Sequence, residues 1–348
     1  MRNLPYYIWL AHKTGRKLLI KHTKPYPFEK FLVPPEGGLD WRLPDEFLDE
    51  EWEVYQNRSF LEYKRDRRIF LHEQIHKPEH NDTRFIFSNA NLVKTWGVFE
   101  SNTNMRIEDV WPSIFRRMFQ PAKELGEIID SIAKENGLIP GEYGGAHIRA
   151  RYPLPKGSDG NIQMKKESQH PGVNMEDNVT RAFVQKMGDN AARCVVKAMP
   201  ETKHIYFASD TSEVLDYLLN DSPVWARNRD NRGNTTDAVA TNHTKLPHIV
   251  VRPDYKVHSQ HLEVRNIVGS EVAAAPKDFY QIFVDLWILS HTKCISQGVG
   301  GFAHFASMLS GNHLKCRTRH RDNQLGFLET CPSPSELKIM KNHMKRRN

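Results

Sequence analysis

Apolar residues in the second half of the chain switch repeatedly between the spacing of strands and the spacing of helices. Four short apolar runs have the length of buried strands, and they lie at 144–151, 203–209, 247–252 and 293–297. Four segments carry apolar residues at helical spacing, and they lie at 174–199, 210–219, 277–290 and 302–309. This repetition of strand and helix predicts a mostly parallel sheet that is covered by helices on both faces.

The first half of the chain has a weaker pattern. The segment 4–13 predicts a helix, and 25–82 is rich in prolines and charges, which favours loops with short helices. Apolar residues between 112 and 136 recur at helical spacing, which predicts one long helix with a kink at Pro121. Strands are predicted in three places, at 16–21, 84–89 and 95–100.

Composition describes a folded globular protein with a basic surface. The chain has 348 residues, of which 39% are hydrophobic and 26% charged, and this length leaves room for two domains. The formal net charge of +7 favours anionic partners such as nucleotides, phosphate, nucleic acid or acidic glycans. Much of the excess lies in the basic segment 338–347, whose composition favours a solvated disordered end.

The features that bear on the cellular compartment point in different directions. No apolar run approaches the roughly 20 residues that span a bilayer, and 4–11 is too short and lacks a signal-peptide cleavage site. The four cysteines have no zinc-binding spacing; Cys316 and Cys331 flank a polar loop and are compatible with a disulfide, or with free buried thiols. Asn-X-Ser/Thr sequons favour the secretory pathway, and they begin at Asn57, Asn81, Asn178, Asn220, Asn234 and Asn242.

Polar residues with distinctive chemistry follow three of the predicted strands. In open α/β sheets, ligands bind at the carboxyl ends of the strands, beside the N-termini of the following helices. The three junctions therefore predict one nucleotide-binding site, and they are His147 with Arg149, then Ser209 with Asp210, then Gln297-Gly298-Val299-Gly300-Gly301-Phe302.

Each junction also has a simpler interpretation. An arginine at a strand end suits a diphosphate, because its guanidinium stays charged and offers paired donors, but Arg149 also fits an ordinary surface position. His147 is compatible with a buried histidine whose hydrogen bonds are satisfied within the protein. Asp210 is compatible with a plain helix cap, and Gly298, Gly300 and Gly301 with a tight turn before a helix.

Motifs that are missing from the sequence narrow the chemistry. The chain has no P-loop, no Gly-x-Gly-x-x-Gly after a first strand and no His-Glu-x-x-His zinc motif. It also lacks Asp-x-Asp, which commonly holds a metal on the diphosphate of a sugar nucleotide. A donor of that kind would therefore depend on arginine and on helix amides to stabilise the leaving group, without a metal cofactor.

Several segments resemble the fucosyltransferase-like superfamily of GT-B glycosyltransferases, which includes the α1,6-fucosyltransferases and the protein O-fucosyltransferases. The segment 7–21 is similar to the opening helix and strand of that fold, and 146–149 to its His-x-Arg strand. The segment 207–210 looks like its Ala-Ser/Thr-Asp junction, and 283–306 like its closing helix, strand, turn and helix. The resemblance implies an α/β fold of the GT-B type, with two Rossmann-like lobes and mostly parallel sheets.

The resemblance also implies a domain organisation and an activity. We expect an acceptor-side lobe at 1–138 that is truncated at its start, a nucleotide-sugar-binding lobe at 139–331 and a basic tail at 332–348. The expected activity is metal-independent, inverting transfer of fucose from GDP-fucose to a glycan or protein acceptor in the ER or Golgi lumen. Membrane association would then require a segment that this chain does not contain.

The resemblance assigns roles to residues of the three junctions. Arg149 is expected to neutralise the departing diphosphate. The expected donor-binding residues are His147, Ser209, Asp210, Gly298, Gly300, Gly301 and Phe302. The alternative is a protein of the same fold that binds a sugar nucleotide or carbohydrate without catalysis. A nucleic-acid-binding function would rest on the isoelectric point alone, and we do not expect it.

Overall fold

The structure is a computed structural model of the whole chain. The structure describes residues 4–20, 22, 26–44, 99–149, 153–156, 161–164, 178–226, 246–254, 275–298, 301–311, 316–322, 326–327 and 331. The chain divides into two compact units, at 1–122 and at 123–348, and each unit is described by itself. The predicted lobes and the predicted tail stay predictions.

The first unit is built around a cluster of aromatic side chains. Its elements are α1 (Leu4–Lys13), a 3₁₀ turn (Phe28–Lys30), β1 (Leu32–Val33), α2 (Ile107–Met118) and β2 (Gln120–Pro121). The rings of Phe28, Trp41 and Phe119 lie 5.3–5.6 Å apart in pairs, and all three side chains are buried. The indole N–H of Trp41 donates to the carbonyl of Met118 at 2.5 Å, which fixes the loop against the end of α2.

The predicted long helix between 112 and 136 is wrong. Two helices take its place, α2 in the first unit and α3 (Lys123–Glu135) in the second, and Pro121 lies in the short strand between them. The chain leaves α2 at Phe119, whose φ of −134° and ψ of 132° are extended. A residue that precedes proline is biased against helical geometry, so Gln120 joins β1 in an antiparallel pair and the helix stops.

The other predictions for the first half have mixed outcomes. Helix 4–13 is confirmed by α1. Within 16–21, the described residues form one isolated bridge, from Ile20 to Arg42, where a strand was predicted. The predicted strand 84–89 lies outside the described residues, and the described end of 95–100, Phe99 and Glu100, is helical.

The second unit follows the predicted alternation closely. Its remaining helices are α4 (Asn178–Ala198), α5 (Ser212–Asp216), α6 (Tyr280–Leu289) and α7 (Phe302–Leu309), with a π-helical turn at Tyr217–Asp221 and a 3₁₀ turn at Pro276–Phe279. Its strands are β3 (Gly144–Ile148), β4 (Pro153–Lys156), β5 (Asn161–Met164), β6 (His204–Ser209), β7 (His248–Val250), β8 (Cys294–Gln297), β9 (Arg317–Arg319), β10 (Arg321–Asp322) and β11 (Gly326–Phe327).

Five of these strands form one parallel sheet in the order β7-β6-β3-β8-β9. The chain runs outward from β3 through β6 to β7, and then returns to place β8 and β9 on the other side of β3. The strand order therefore reverses between β3 and β8. A crevice at the carboxyl ends of the strands is expected at such a reversal.

Helices cover both faces of the sheet. They pack so closely against the backbone of β3 that the first two residues of this strand are glycines. A Cβ on Gly144 would lie 2.2 Å from Val195 of α4, and a Cβ on Gly145 would lie 2.9 Å from Leu289 of α6. Alternate residues of β3 thus face α4 on one side and α6 on the other. Ala146 and Ile148 belong to the fully buried core cluster on the α4 side.

The cysteine pairing differs from the expectation. Disulfides join Cys194 to Cys331 and Cys294 to Cys316, so neither the Cys316–Cys331 bridge nor free thiols are present. Cys294 begins β8 and Cys316 directly precedes β9, and the pairing of the two strands brings their Cα atoms to 4.7 Å. Because β9 was not predicted from the sequence, this cross-strand neighbour could not be identified.

Across the parts of the chain described above, we find no helix with both the length and the apolar character of a bilayer-spanning segment.

Candidate functional site

Three polar side chains form a row at the carboxyl edge of the sheet, where the strand order reverses. His147 of β3 is in register with Gln297 of β8, and Gln297 is in register with Arg319 of β9. Residues in register on neighbouring parallel strands project to the same face of the sheet. The ring of His147 lies 5.0 Å from the ring of Phe302, so this face is the one that α7 covers.

His147 and Arg149 end the central strand of the sheet. The His147 side chain is 8% exposed and packs against Phe302 at the first position of α7. Arg149 is the first residue after Ile148, the last residue of β3, and its side chain is partly buried. His147 therefore lies in β3 and Arg149 directly after it, since β3 ends at Ile148 and not at 151 as predicted, and the strand order sets both residues beside the reversal.

Gln297 is a residue of this edge that the sequence analysis did not select, although it opens the third junction. It is 3% exposed, and its Oε1 atom is buried and has no hydrogen-bond partner among the described residues. Leaving such an atom unsatisfied costs about 1–3 kcal/mol, so the amide is suited to a polar ligand. Gln297 is identified by its register with His147. That register is known only from the order of the strands in the sheet, so it could not be read from the sequence.

The glycine-rich turn leads from this edge into α7. Gly301 is the residue before the helix, and its carbonyl accepts from the N–H of Phe305 at 2.9 Å. Phe302, the first residue of α7, packs its ring against His147. The first backbone N–H groups of α7 therefore lie at the carboxyl edge of the sheet, beside the row of His147, Gln297 and Arg319. Gly300 lies outside the described residues.

The junction after β6 lies on the other side of β3. Ser209 is in register with Ile148, is buried, and accepts a hydrogen bond from the N–H of Thr211 at 3.2 Å. The following helix α5 begins at Ser212, and Thr211 is its N-cap residue. Asp210 therefore lies one position before the cap, so the plain-cap interpretation of Asp210 is not what the structure shows.

A buried charged network lies beneath the α6 side of this edge. The hydroxyl of Tyr206 donates to Asp285 at 2.6 Å, and Nε of Arg252 lies 3.6 Å from the other carboxylate oxygen. Arg252 also donates to Gln281 at 2.7 Å and pairs with Asp254 at 3.3 Å. The network connects β6, α6 and the end of β7, so it holds the strands that carry the edge.

Burial controls the protonation of this network. It raises the pKa of Asp285 to about 6, although Arg252 and Tyr206 both favour the ionised form. Burial, together with the neighbouring Asp285 carboxylate, raises the pKa of Tyr206 well above its ordinary value. The Tyr206 hydroxyl therefore stays protonated and donates.

No metal centre is evident in the described parts of the chain: within them, no group of three or more His, Cys, Asp or Glu side chains is placed to hold an ion.

Neither protein-family models nor curated protein sequences gave a match to this chain. Three solved structures of fucosyltransferases match the chain by their fold. A mutant of FUT1 from Arabidopsis thaliana in complex with GDP matches with a TM-score of 0.50 and 12% identity, over 96% of this chain and 70% of FUT1. The fucosyltransferase NodZ from Bradyrhizobium matches with a TM-score of 0.46 and 13% identity, over 91% of this chain and 90% of NodZ.

A NodZ α1,6-fucosyltransferase crystal soaked with GDP-fucose also matches, with a TM-score of 0.45 and 16% identity over 88% of this chain and 87% of that one. At these identities the comparison bears on the fold. The chain has an α/β, GT-B-like fold similar to that of fucosyltransferases, which confirms the predicted resemblance and fold class.

Proposed function

We propose that this protein is a glycosyltransferase that transfers fucose from GDP-fucose to a glycan or protein acceptor. The observation that carries the proposal is the position of Arg149 and His147 at the end of the central strand, beside the reversal of strand order. A cation at that position meets the diphosphate of a nucleotide that binds in the crevice. The fold it shares with FUT1, which was solved in complex with GDP, supports the choice of nucleotide.

The proposed mechanism is an inverting displacement without a metal cofactor. The bond between the anomeric carbon of fucose and the β-phosphate oxygen breaks, while the acceptor hydroxyl attacks from the opposite face of the sugar and releases its proton to solvent. Negative charge develops on the departing GDP. Arg149 neutralises that charge through paired N–H donors, and the first N–H groups of α7 add to the stabilisation.

The remaining residues of the edge bind the donor. His147, held against Phe302, faces the pyrophosphate, and the Oε1 atom of Gln297 accepts a hydrogen bond from a hydroxyl of the sugar. Asp210, which follows β6 on the other side of β3, accepts hydrogen bonds from the nucleoside, and Ser209, which is in register with Ile148 and accepts from the N–H of Thr211, holds the backbone of that junction. Gly298, Gly300 and Gly301 keep the turn free of side chains, so that its backbone can approach a phosphate.

We also propose that the protein works in an oxidising compartment, such as the ER or Golgi lumen. The disulfides Cys194–Cys331 and Cys294–Cys316 support this proposal, because disulfides persist in such compartments and are rare in the cytosol.

Replacement of Arg149 tests the mechanism. Because the guanidinium acts on charge that develops in the transition state, we expect Arg149→Ala to lower kcat for transfer from labelled GDP-fucose by about a hundredfold or more. Arg149→Lys keeps the charge but loses the paired geometry, and should recover part of that loss. Assays are run with and without a chelator, over a panel of glycan and peptide acceptors.

The matched control is Arg116→Ala, which removes an exposed arginine from α2. It should leave turnover unchanged. Full activity of Arg149→Ala would exclude the proposed mechanism. Binding of GDP without transfer to any acceptor would instead favour the second interpretation, a donor-binding protein that lacks catalysis.

A further inference from the structure

His320 is a buried histidine that directly follows β9 and lies outside every motif considered so far. Its side chain is fully buried, with 0% exposure. Its backbone is fixed from two directions: its N–H donates to the carbonyl of Gln297 at 3.2 Å, and its carbonyl accepts from the Asn190 amide of α4 at 3.1 Å. The position of the ring is therefore set by β8 and α4 together.

The imidazole ring spans the space between Ser296 and Gly298. Nδ1 lies 3.0 Å from the hydroxyl of Ser296, which is itself fully buried. On the other side of the ring, a Cβ built on Gly298 would lie 2.5 Å from Nε2, 3.2 Å from Cε1 and 3.3 Å from Cδ2. Real Cβ atoms do not approach heavy atoms this closely, so the ring occupies the volume that a side chain at position 298 would need.

The contact with His320, and not the backbone conformation, explains why residue 298 is a glycine. Its φ lies outside the left-handed region, so any residue type could adopt its backbone conformation. The glycine is required because His320 lies against its Cα. In turn, the ring supports the backbone of Gln297 and Gly298 from the α4 side, while Gln297 projects to the α7 side.

We propose that His320 is a positioning residue that sets the path of the Gln297–Gly298 backbone at the donor site. This inference rests on the proposed function, because the turn would then contact the pyrophosphate. Small displacements of groups that orient a substrate can lower rates by about a hundredfold. A shift of this turn should therefore weaken nucleotide binding and slow transfer without touching Arg149.

A compensating pair of substitutions tests the proposal. Gly298→Ala should push the turn away from the ring and raise the Kd for GDP by about tenfold or more. His320→Asn keeps a hydrogen-bonding group near Ser296 but removes the outer half of the ring, where the new Cβ would lie. The double variant Gly298→Ala/His320→Asn should return the Kd to within about threefold of the native value.

The control is Thr318→Val, a nearly isosteric change of a buried residue of β9 that is in register with Ser296. It should leave the Kd for GDP unchanged, even if the melting temperature falls. If Gly298→Ala fails to fold, His320→Asn alone should raise the Kd above that of Thr318→Val. Independent, additive effects of the two substitutions would overturn the proposal, as would native affinity in Gly298→Ala.

The result also separates this inference from the proposed function. If the native protein binds none of GDP, UDP or CMP, the proposed function fails and the inference fails with it. If the native protein binds GDP and the two substitutions do not compensate, the inference alone fails.

Discussion

At the scale of single residues, Asp285 makes the stability of the fold depend on pH. Its buried carboxyl has a pKa of about 6, above the ordinary value of 3.8, because burial disfavours the charged form. Between these two values the folded protein retains a proton that the unfolded chain releases. The unfolded state therefore binds fewer protons, and the contribution of Asp285 to stability falls as pH rises through this window.

Replacing Asp285 by Asn should remove that dependence. Between pH 4 and pH 7 the free energy of unfolding of the native protein should fall by on the order of 3 kcal/mol relative to that of the variant. The pKa of Asp285 is shifted by about two units, and each unit corresponds to about 1.36 kcal/mol. Urea unfolding at several pH values measures the difference. The absolute stability of the variant should be lower, because Arg252 loses its buried partner.

Asp254→Asn is the matched control, since Asp254 also pairs with Arg252 but is about half exposed. Its stability should still fall over the same pH range, by somewhat less than in the native protein, because the Asp254 charge is a minor cause of the raised pKa of Asp285. If the curve of Asp285→Asn runs parallel to that of the native protein, Asp285 does not titrate in this window and the assignment is wrong.

Residues of the site could be predicted where the signal was local in sequence. His147, Arg149 and Ser209 each stand at or near the end of an apolar run; β6 ends at Ser209 as predicted, whereas β3 ends at Ile148 and not at 151. Gln297 and His320 could not be selected. The first depends on its register with β3, and the second on a contact between residues 22 apart in the chain.

At the scale of elements, strands and helices with strong periodicity were predicted well. Helix α7 begins and ends at the predicted residues, and β6 and β8 are each one residue shorter than predicted. The errors came from competing local chemistry and from very short strands. Pro121 ends a helical pattern that is otherwise continuous, and β9 has only three residues, two of them arginines, which give no apolar signal.

The disulfides are the element-scale feature with the largest predicted effect on stability. Cys194–Cys331 closes a separation of 137 residues and Cys294–Cys316 one of 22. The loss of chain entropy in the unfolded state predicts contributions of about 5 and about 3 kcal/mol respectively. We therefore expect Cys194→Ala/Cys331→Ala to unfold at lower urea concentration than Cys294→Ala/Cys316→Ala, and both below the native protein.

The two double variants serve as controls for each other, since each removes one disulfide and two sulfur atoms. Alkylation of the denatured native protein, without reductant, should modify no cysteine. Modification of any of the four thiols under these conditions would contradict the assigned pairing.

At the scale of the whole molecule, the sequence predicted a parallel α/β sheet but not the order of its strands. Parallel strands bury both faces, so their sequences look alike and carry little information on their neighbours. The order β7-β6-β3-β8-β9 nevertheless decides the argument for function, because it puts the reversal beside His147 and Arg149. The junction residues were predicted as a set, and the strand order places β6, β3 and β8, the strands that lead into the three junctions, side by side.

Nucleotide binding at that reversal should stabilise one part of the molecule selectively. All described residues of the proposed donor site belong to the unit at 123–348. A ligand that binds only the folded state at about 100 times its Kd adds about 2.7 kcal/mol to the free energy of unfolding. In scanning calorimetry without added metal, GDP should therefore raise the transition of this unit, while a separate transition of 1–122 should not move.

The choice of nucleotide and the Arg149→Ala variant make this measurement specific. UDP at the same concentration should give a much smaller shift, because Asp210 is proposed to read the nucleoside, and CMP should give a smaller shift still, because it lacks the second phosphate that Arg149 would hold. Arg149→Ala should lose most of the shift that GDP causes, since its guanidinium holds the diphosphate. Equal stabilisation by all three nucleotides would show that the nucleoside is not recognised. An undiminished shift in Arg149→Ala would show that Arg149 does not contact the nucleotide.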